Sequence, residues 1–298
     1  MKTFRILGLA LVVTGLLFAG CKKTEDEDEE EEATINMEVS APETQMNKNV
    51  LVEEFTGVNC GNCPDGHRRV NQLMAANPGK VFAINIHTGS YAAGKYTTSF
   101  GTSLAGQTHL TGYPAGTVNR HEFEGMQMDT NRTHQNRTAM GRGQFSSAAN
   151  QMMAQQSCAN IAAKAMINKS TRELTVNVAV YYTGTPTGST NMLNVAIVED
   201  SVWGAPNEQS GASSNPTQYD ASTGRYCHMH MLRHLVTGQW GEEISPVQGQ
   251  QIKKTYTYTL PETISNVTVV PEHLEVIVFL CEGHNEVINV CSAPITFK

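Results

Sequence analysis

The chain has no excess of basic residues, and charge of either sign is sparse. Its 21 Lys and Arg stand against 28 Asp and Glu, and charged residues make up 16% of the whole. Eight of the acidic residues fill positions 25–32 without a break, and four basic ones (Lys2, Arg5, Lys22, Lys23) also fall before residue 33. The remainder is nearly neutral, so it lacks the basic face that would suggest a nucleic-acid partner. Cysteine is limited too. Seven in 298 residues are too few for a miniprotein held together by disulfides. Only Cys60 and Cys63 lie close in sequence, and no second C-x-x-C or paired His stands near them to complete a zinc site. No internal repeat is visible. What is present, 40% hydrophobic residues over 298 positions, is enough for about two domains.

Residues 1–20 have the layout of a secretory signal. Lys2 and Arg5 precede an apolar run from Ile6 to Phe18, which is short for a span of ~20 apolar residues. The run ends in Leu17-Phe18-Ala19-Gly20-Cys21. Small residues just before a cysteine resemble the lipobox of bacterial lipoproteins, which implies cleavage before Cys21 and lipidation (palmitate type) of its thiol and new amino group. Residues 21–47 read as a tether. The acidic block cannot collapse on itself, and polar sequence with Pro42 continues to residue 47.

Residues 48–157 carry an α/β pattern. Val50 to Phe55 is a strand, Cys63 to Ala76 a helix with Val70, Leu73 and Met74 at helical spacing, and Val81 to His87 a buried strand. Asn77-Pro78-Gly79 stops the helix. Strand, helix, strand at this spacing makes a βαβ unit. A weaker helix falls near Thr98–Leu110, and Phe145, Ala148, Ala149, Met152 and Met153 mark another. Residues 158–298 turn to a period of two. Strands over 159–167, 173–182, 193–199, 251–260, 274–281 and 287–297, with turn-rich gaps between, predict an antiparallel β-sandwich.

The stretch Val50-Leu51-Val52-Glu53-Glu54-Phe55-Thr56-Gly57 leads into Cys60-Gly61-Asn62-Cys63-Pro64-Asp65-Gly66-His67. A strand running into C-x-x-C at a helix mouth is the redox corner of a thioredoxin fold, where helix N–H groups favour a thiolate on the first cysteine. Together with Gly112-Tyr113-Pro114-Ala115-Gly116-Thr117-Val118-Asn119-Arg120, the chain resembles the Bacteroidetes outer-membrane-protein-related lipoproteins known as the twenty-eight-kilodalton antigen family. That resemblance implies an α/β thioredoxin-like domain followed by an all-β sandwich. It makes Cys60 the nucleophilic thiol, Cys63 the resolving thiol, Pro114 the facing cis-proline and Glu54 the buried acid that shuttles protons. The acidic tether resembles the surface-export signal of such lipoproteins. This implies a place on the outer membrane through the lipid anchor, facing out, with a periplasmic orientation as the alternative. Asn59, Asn62 and Pro64 depart from the common Trp-Cys-Gly-Pro-Cys-Lys corner.

Two uses of Cys60 and Cys63 stay open. One is reversible exchange with protein thiols or disulfides of the envelope or the outside. The other is a structural disulfide in a binding or antigenic surface protein. No cofactor is implied. Outside this corner, His228 and His230 would share one face of a strand and fit a Cu or Zn ligand pair. The plainer account is a strand with one polar face, since no further ligand can be placed. Cys281 and Cys291 are out of register for a cross-strand disulfide, while Cys158 and Cys227 are free to pair.

Overall fold

A computed structural model describes residues 35–186 and 188–298. The signal sequence, Cys21 and the acidic block lie outside the described residues. The first elements are β1 (Val50–Thr56), α1 (Cys63–Ala76) and β2 (Val81–His87). Every residue of β1 and β2 is buried, the polar Glu53, Glu54, Asn85 and His87 among them, so both strands are covered on both faces. They pair in parallel from Val50↔Val81 to Thr56↔His87, with α1 as the crossover. The short helices α2 (Gly89–Ala92) and α3 (Gly101–Gly106) follow, then β3 (Ala115–Val118), β4 (Met140–Gly141) and α4 (Phe145–Met153). β3 runs antiparallel to β1, and β4 antiparallel to β3. Val70 and Leu73 of α1 and Phe145, Ala148, Ala149 and Met152 of α4 cover Val50, Val52, Val81 and Val118 on one face of these strands.

The second half supplies β5 (Ala159–Asn168), β6 (Glu173–Tyr182), β7 (Asn191–Glu199) and β8 (Val202–Trp203). It continues with β9 (Tyr219–Asp220), β10 (Arg225–His228), β11 (Met231–Leu235), β12 (Glu242–Ile244) and β13 (Gln251–Thr259). The small hairpin β14 (Thr263–Ile264) and β15 (Val267–Thr268) precedes β16 (Leu274–Glu282), β17 (Val287–Ala293) and β18 (Ile295–Phe297). Four of these form one sheet in the order β13-β6-β5-β18. It faces β7, β16 and β17 across a core of Val176, Val178, Val180, Val195, Ile197, Val276 and Val278. The second half is mostly β, as the period-two pattern predicts, but its pairing is not wholly antiparallel: β18 pairs with β5 in parallel. Pro294 separates β17 from β18, so the single strand expected over 287–297 is two strands in two sheets.

The larger sheet does not stop at residue 157. Its order is β17-β16-β7-β11-β2-β1-β3-β4, with β12 on β7. The join is β11 beside β2, where Asn85 donates from its backbone N–H to His230 (2.7 Å) and from its side chain to the Met229 carbonyl (2.8 Å). One apolar cluster spans both halves, with Leu51, Phe55, Ile84 and Ile86 packed beside Val198, Leu232, Ile277 and Phe279. Residues 35–298 accordingly form one unit.

The tether expected over 21–47 needs correction at its described end. Residues 36–47 lie along the smaller sheet. Asn177 donates to the Met37 carbonyl (2.8 Å), Asn160 to those of Pro42 and Thr44 (2.7 Å each), and Ala41 is buried. Side-chain amides on the sheet face satisfy an extended backbone that composition alone marks as linker.

Candidate functional site

Cys60 and Cys63 are joined by a disulfide at the N-terminus of α1. The turn from β1 into this corner is tight. Cys60 N–H donates to the Gly57 carbonyl and Cys63 N–H to the Cys60 carbonyl. Gly57 has no room for a β-carbon against the Tyr91–Ala92 backbone, so only glycine lets β1 pass so close to α2. The Tyr113–Pro114 peptide bond is cis. It places Pro114 at the start of β3, whose Ala115 and Gly116 lie opposite Phe55 and Glu54 of β1.

Glu54 is fully buried, and neither carboxylate oxygen has a hydrogen-bond partner among the described residues. Gly66 of α1 leaves room for it: a β-carbon there would overlap Glu54 Oε1 and come within 3.2 Å of Pro114 Cβ. Glu54, Pro114 and the helix bearing the disulfide therefore converge. Burial raises the Glu54 carboxyl well above its ordinary range, nearby Asp65 adds to this, and Arg142 opposes it. Burial thus favours the neutral acid. Burial would raise Asp65 also, but hydrogen bonds from Arg69, Arg142 and Arg68 override it and hold that carboxyl well below its usual range.

The disulfide is not open to solvent. Cys60 is 2% exposed and Cys63 0%. A strap between β8 and β9 covers it. Ser210 N–H donates to the Val58 carbonyl at 2.8 Å, Gln209 Nε2 reaches the Cys60 carbonyl at 3.4 Å, and Gly211, at φ 67°, sits on Gly61. Nothing in the turn-rich composition of 204–216 marks this role. Gly211 is the one hint, and it becomes legible only with Gly61 opposite.

Beneath the strap lies a buried histidine cluster. His67, one turn after Cys63, hydrogen-bonds Thr56 Oγ1 through Nε2 and the Tyr226 hydroxyl through Nδ1, both at 2.9 Å. Asn215 of the strap donates to the same hydroxyl at 3.0 Å. Burial, reinforced by His228 and His230, lowers His67 to about 3. His228 packs against His87 (ring centroids 5.0 Å) and Tyr96 (4.8 Å), and neither of its nitrogens has a hydrogen-bond partner among the described residues. His67 was legible as part of the C-x-x-C block and on the apolar side of α1, three residues before Val70. Its partners Thr56 and Tyr226 were not.

The strand expected to carry His228 and His230 on one face is interrupted. β10 ends at His228, β11 begins at Met231, and His230 has φ 53°. The chain reverses its facing there, so the two histidines diverge. His228 enters the cluster under the strap, and His230 turns toward Asp200 and Glu275. Cys158 and Cys227 are both free thiols, which corrects the possible pairing, as are Cys281 and Cys291. In the β16–β17 hairpin Cys281 lies opposite Val287 and Cys291 opposite Val278.

Comparison with solved structures shows the fold shared with HBP35 of Porphyromonas gingivalis. The match has 16% identity and a TM-score of 0.61, over 84% of this chain and 78% of that one. A domain of the outer membrane lipoprotein Omp28 from Porphyromonas gingivalis matches at 22% identity and a TM-score of 0.31, over 48% of this chain and 91% of that one. A search of curated proteins returns no match. The sequence profile of the family described as outer membrane protein Omp28 matches residues 102–297, and the chain belongs to that family.

Proposed function

We propose that this Omp28-family protein is a lipid-anchored outer-membrane protein with a thioredoxin-like exchange site at Cys60 and Cys63, acting on thiols of envelope or extracellular proteins. The observation that carries this is Glu54. A buried carboxyl with no hydrogen-bond partner costs several kcal/mol of desolvation if ionised, which the Arg142 charge offsets only in part. Such a group is explained if it gives and takes a proton beside the dithiol. A partner thiolate attacks Cys60 Sγ, the Cys60–Cys63 bond breaks, and Cys63 leaves as a thiolate that takes the proton from Glu54. A second partner thiol then loses its proton to the Glu54 carboxylate and attacks the partner sulfur of the mixed disulfide, releasing Cys60 as a thiolate. The partner dithiol is oxidised to a disulfide and the Cys60–Cys63 pair is reduced. Pro114 borders the groove in which the partner strand would lie. The strap must move aside before attack.

The strap itself favours a second reading, in which the disulfide is structural and the protein binds through its surface. Reduction potential and insulin-reductase turnover, with Cys60→Ser as control, separate the two. A potential below about −300 mV, the range of resistant structural disulfides, with no turnover removes the exchange reading. Anchoring at Cys21 predicts that Cys21→Ala releases the protein from the membrane fraction. Protease shaving of intact cells degrades it if it faces out, and spares it in the periplasmic orientation.

A further inference from the structure

The strands that join the two halves of the large sheet bring three metal-ligating side chains together at one end. Asp200 directly follows β7, His230 directly precedes β11, and Glu275 is the second residue of β16. The register explains the meeting. Met231 and Leu274 both lie opposite Glu199, so His230 falls across from Asp200. Glu275 lies opposite Val198, two residues from Asp200 and therefore on the same face. His230 Nδ1 stands 3.2 Å from Asp200 Oδ1 and 3.9 Å from Glu275 Oε2. The three ligand atoms lie within 4.8 Å of one another.

Two features distinguish this group from an ordinary ion pair. The His230 side chain is only 12% exposed, and its Nδ1 has no well-aligned hydrogen bond among the described residues although Asp200 Oδ1, which accepts the His230 backbone N–H at 2.6 Å, is 3.2 Å away. Two carboxylates also face one imidazole, and among the described residues no lysine or arginine pairs with either of them. Even a protonated His230 leaves the group with one negative charge in excess. Donors bound to one ion at ~2.0–2.2 Å from it stand about 3.0–3.5 Å apart; the His230–Asp200 spacing of 3.2 Å is in that range, and the His230–Glu275 spacing of 3.9 Å would have to close by a few tenths of an ångström.

We propose that Asp200, His230 and Glu275 bind a divalent transition ion of the zinc type. The imidazole disfavours calcium and magnesium, which prefer all-oxygen shells. Three protein ligands, with both carboxylates about 30% exposed, leave room for water in the remaining position. The ion would tie β16, β7 and β11 together beside the place where Asn85 of β2 bonds to the Met229 and His230 carbonyls, clipping the join between the two halves of the sheet. A second group, His109, Asp129 and His134, is more exposed, and a direct 2.6 Å hydrogen bond between His134 Nδ1 and Asp129 already occupies its nitrogen. It serves as the internal control.

The test is titration of the metal-free full-length protein with zinc, read by calorimetry and by thermal melting. The expected result is binding that includes one equivalent lost, or weakened by at least about tenfold, in both His230→Asn and Glu275→Gln, with the zinc-induced rise in melting temperature lost alongside. His134→Asn keeps that equivalent. Asparagine at 230 tolerates the left-handed backbone, and Glu275→Gln is a near-isosteric change to a side chain 31% exposed, so at least one variant remains folded. The proposal is overturned if zinc neither binds stoichiometrically nor raises the melting temperature. It is equally overturned if His230→Asn and Glu275→Gln bind like the unaltered protein, or if only His134→Asn loses the ion.

Discussion

Gly211 packs onto Gly61 so closely that a β-carbon on the first would overlap the carbonyl oxygen of the second. The strap is therefore seated on the C-x-x-C motif itself, and its fit depends on a residue without a side chain. Gly211→Ala meets both this overlap and the cost of a left-handed backbone, of order 1–3 kcal/mol. The strap should lift, and reduction of the disulfide by dithiothreitol should accelerate by about 5- to 100-fold, followed as the rate of thiol release. An unchanged rate would mean that the strap is not the barrier.

Glu54→Gln tests the unpartnered acid in two ways. Burial raises the carboxyl well above the value of 4.5 it has in the unfolded chain. Folding thus binds a proton above that pH, and stability is lost as pH rises toward the folded value. A neutral amide removes this loss. The variant should gain stability relative to the parent as pH increases from 5 to 8, in urea unfolding of the oxidised protein. If Glu54 also serves exchange, the same variant turns over more slowly, a combination that a purely structural residue would not give.

His67 carries the opposite pH signature. Its folded value is about 3 against 6.5 unfolded, so the unfolded chain binds a proton that the folded protein refuses. Stability is full above about 6.5 and falls on acidification toward 3, by up to about 1.4 kcal/mol per pH unit for this one group. His67→Gln should be less stable at pH 7, because its bonds to Thr56 and Tyr226 are disturbed, but should lose less between pH 6.5 and 4. Parallel slopes for parent and variant would remove His67 from the account.

Arg120 grips Glu53 through two hydrogen bonds, Nε–Oε2 at 2.7 Å and Nη2–Oε1 at 2.6 Å. It also donates to the His284 carbonyl and lies over the Phe279 ring. Both partners of the pair are buried. Arg120→Ala leaves an uncompensated buried carboxylate and should cost about 3–5 kcal/mol. Pairing it with Glu53→Gln should recover part of that loss in urea unfolding, and strictly additive losses would refute the coupling.

Local chemistry was readable from sequence and long-range closure was not. The runs Val50–Phe55 and Val81–His87, and the helix opened by Cys63, declare themselves through apolar continuity and the Asn77-Pro78-Gly79 stop. The hairpin of β5 and β6 does so through alternation. The sheet joining β2 to β11 does not, because each strand's pattern says only that it is buried, not by which neighbour. The kink at His230 is invisible for a related reason: alternation around Tyr226–His234 looks continuous, and only the backbone reversal separates His228 from His230. At the candidate site, the cysteines and Glu54 stand in one segment, while Gln209, Gly211 and Tyr226 arrive from more than 140 residues away.

The bond from Asn85 to the backbone of Met229 and His230 has a wider meaning. Without the second half, β2 would present a bare strand edge, and Phe55, Ile84 and Ile86 would lose the apolar side chains that cover them. Unpaired edges of that kind recruit other chains. The two halves are therefore not interchangeable modules. Evolution can vary the loops at either end of this protein, but it cannot transplant the cysteine-bearing half into another architecture without also supplying a β11.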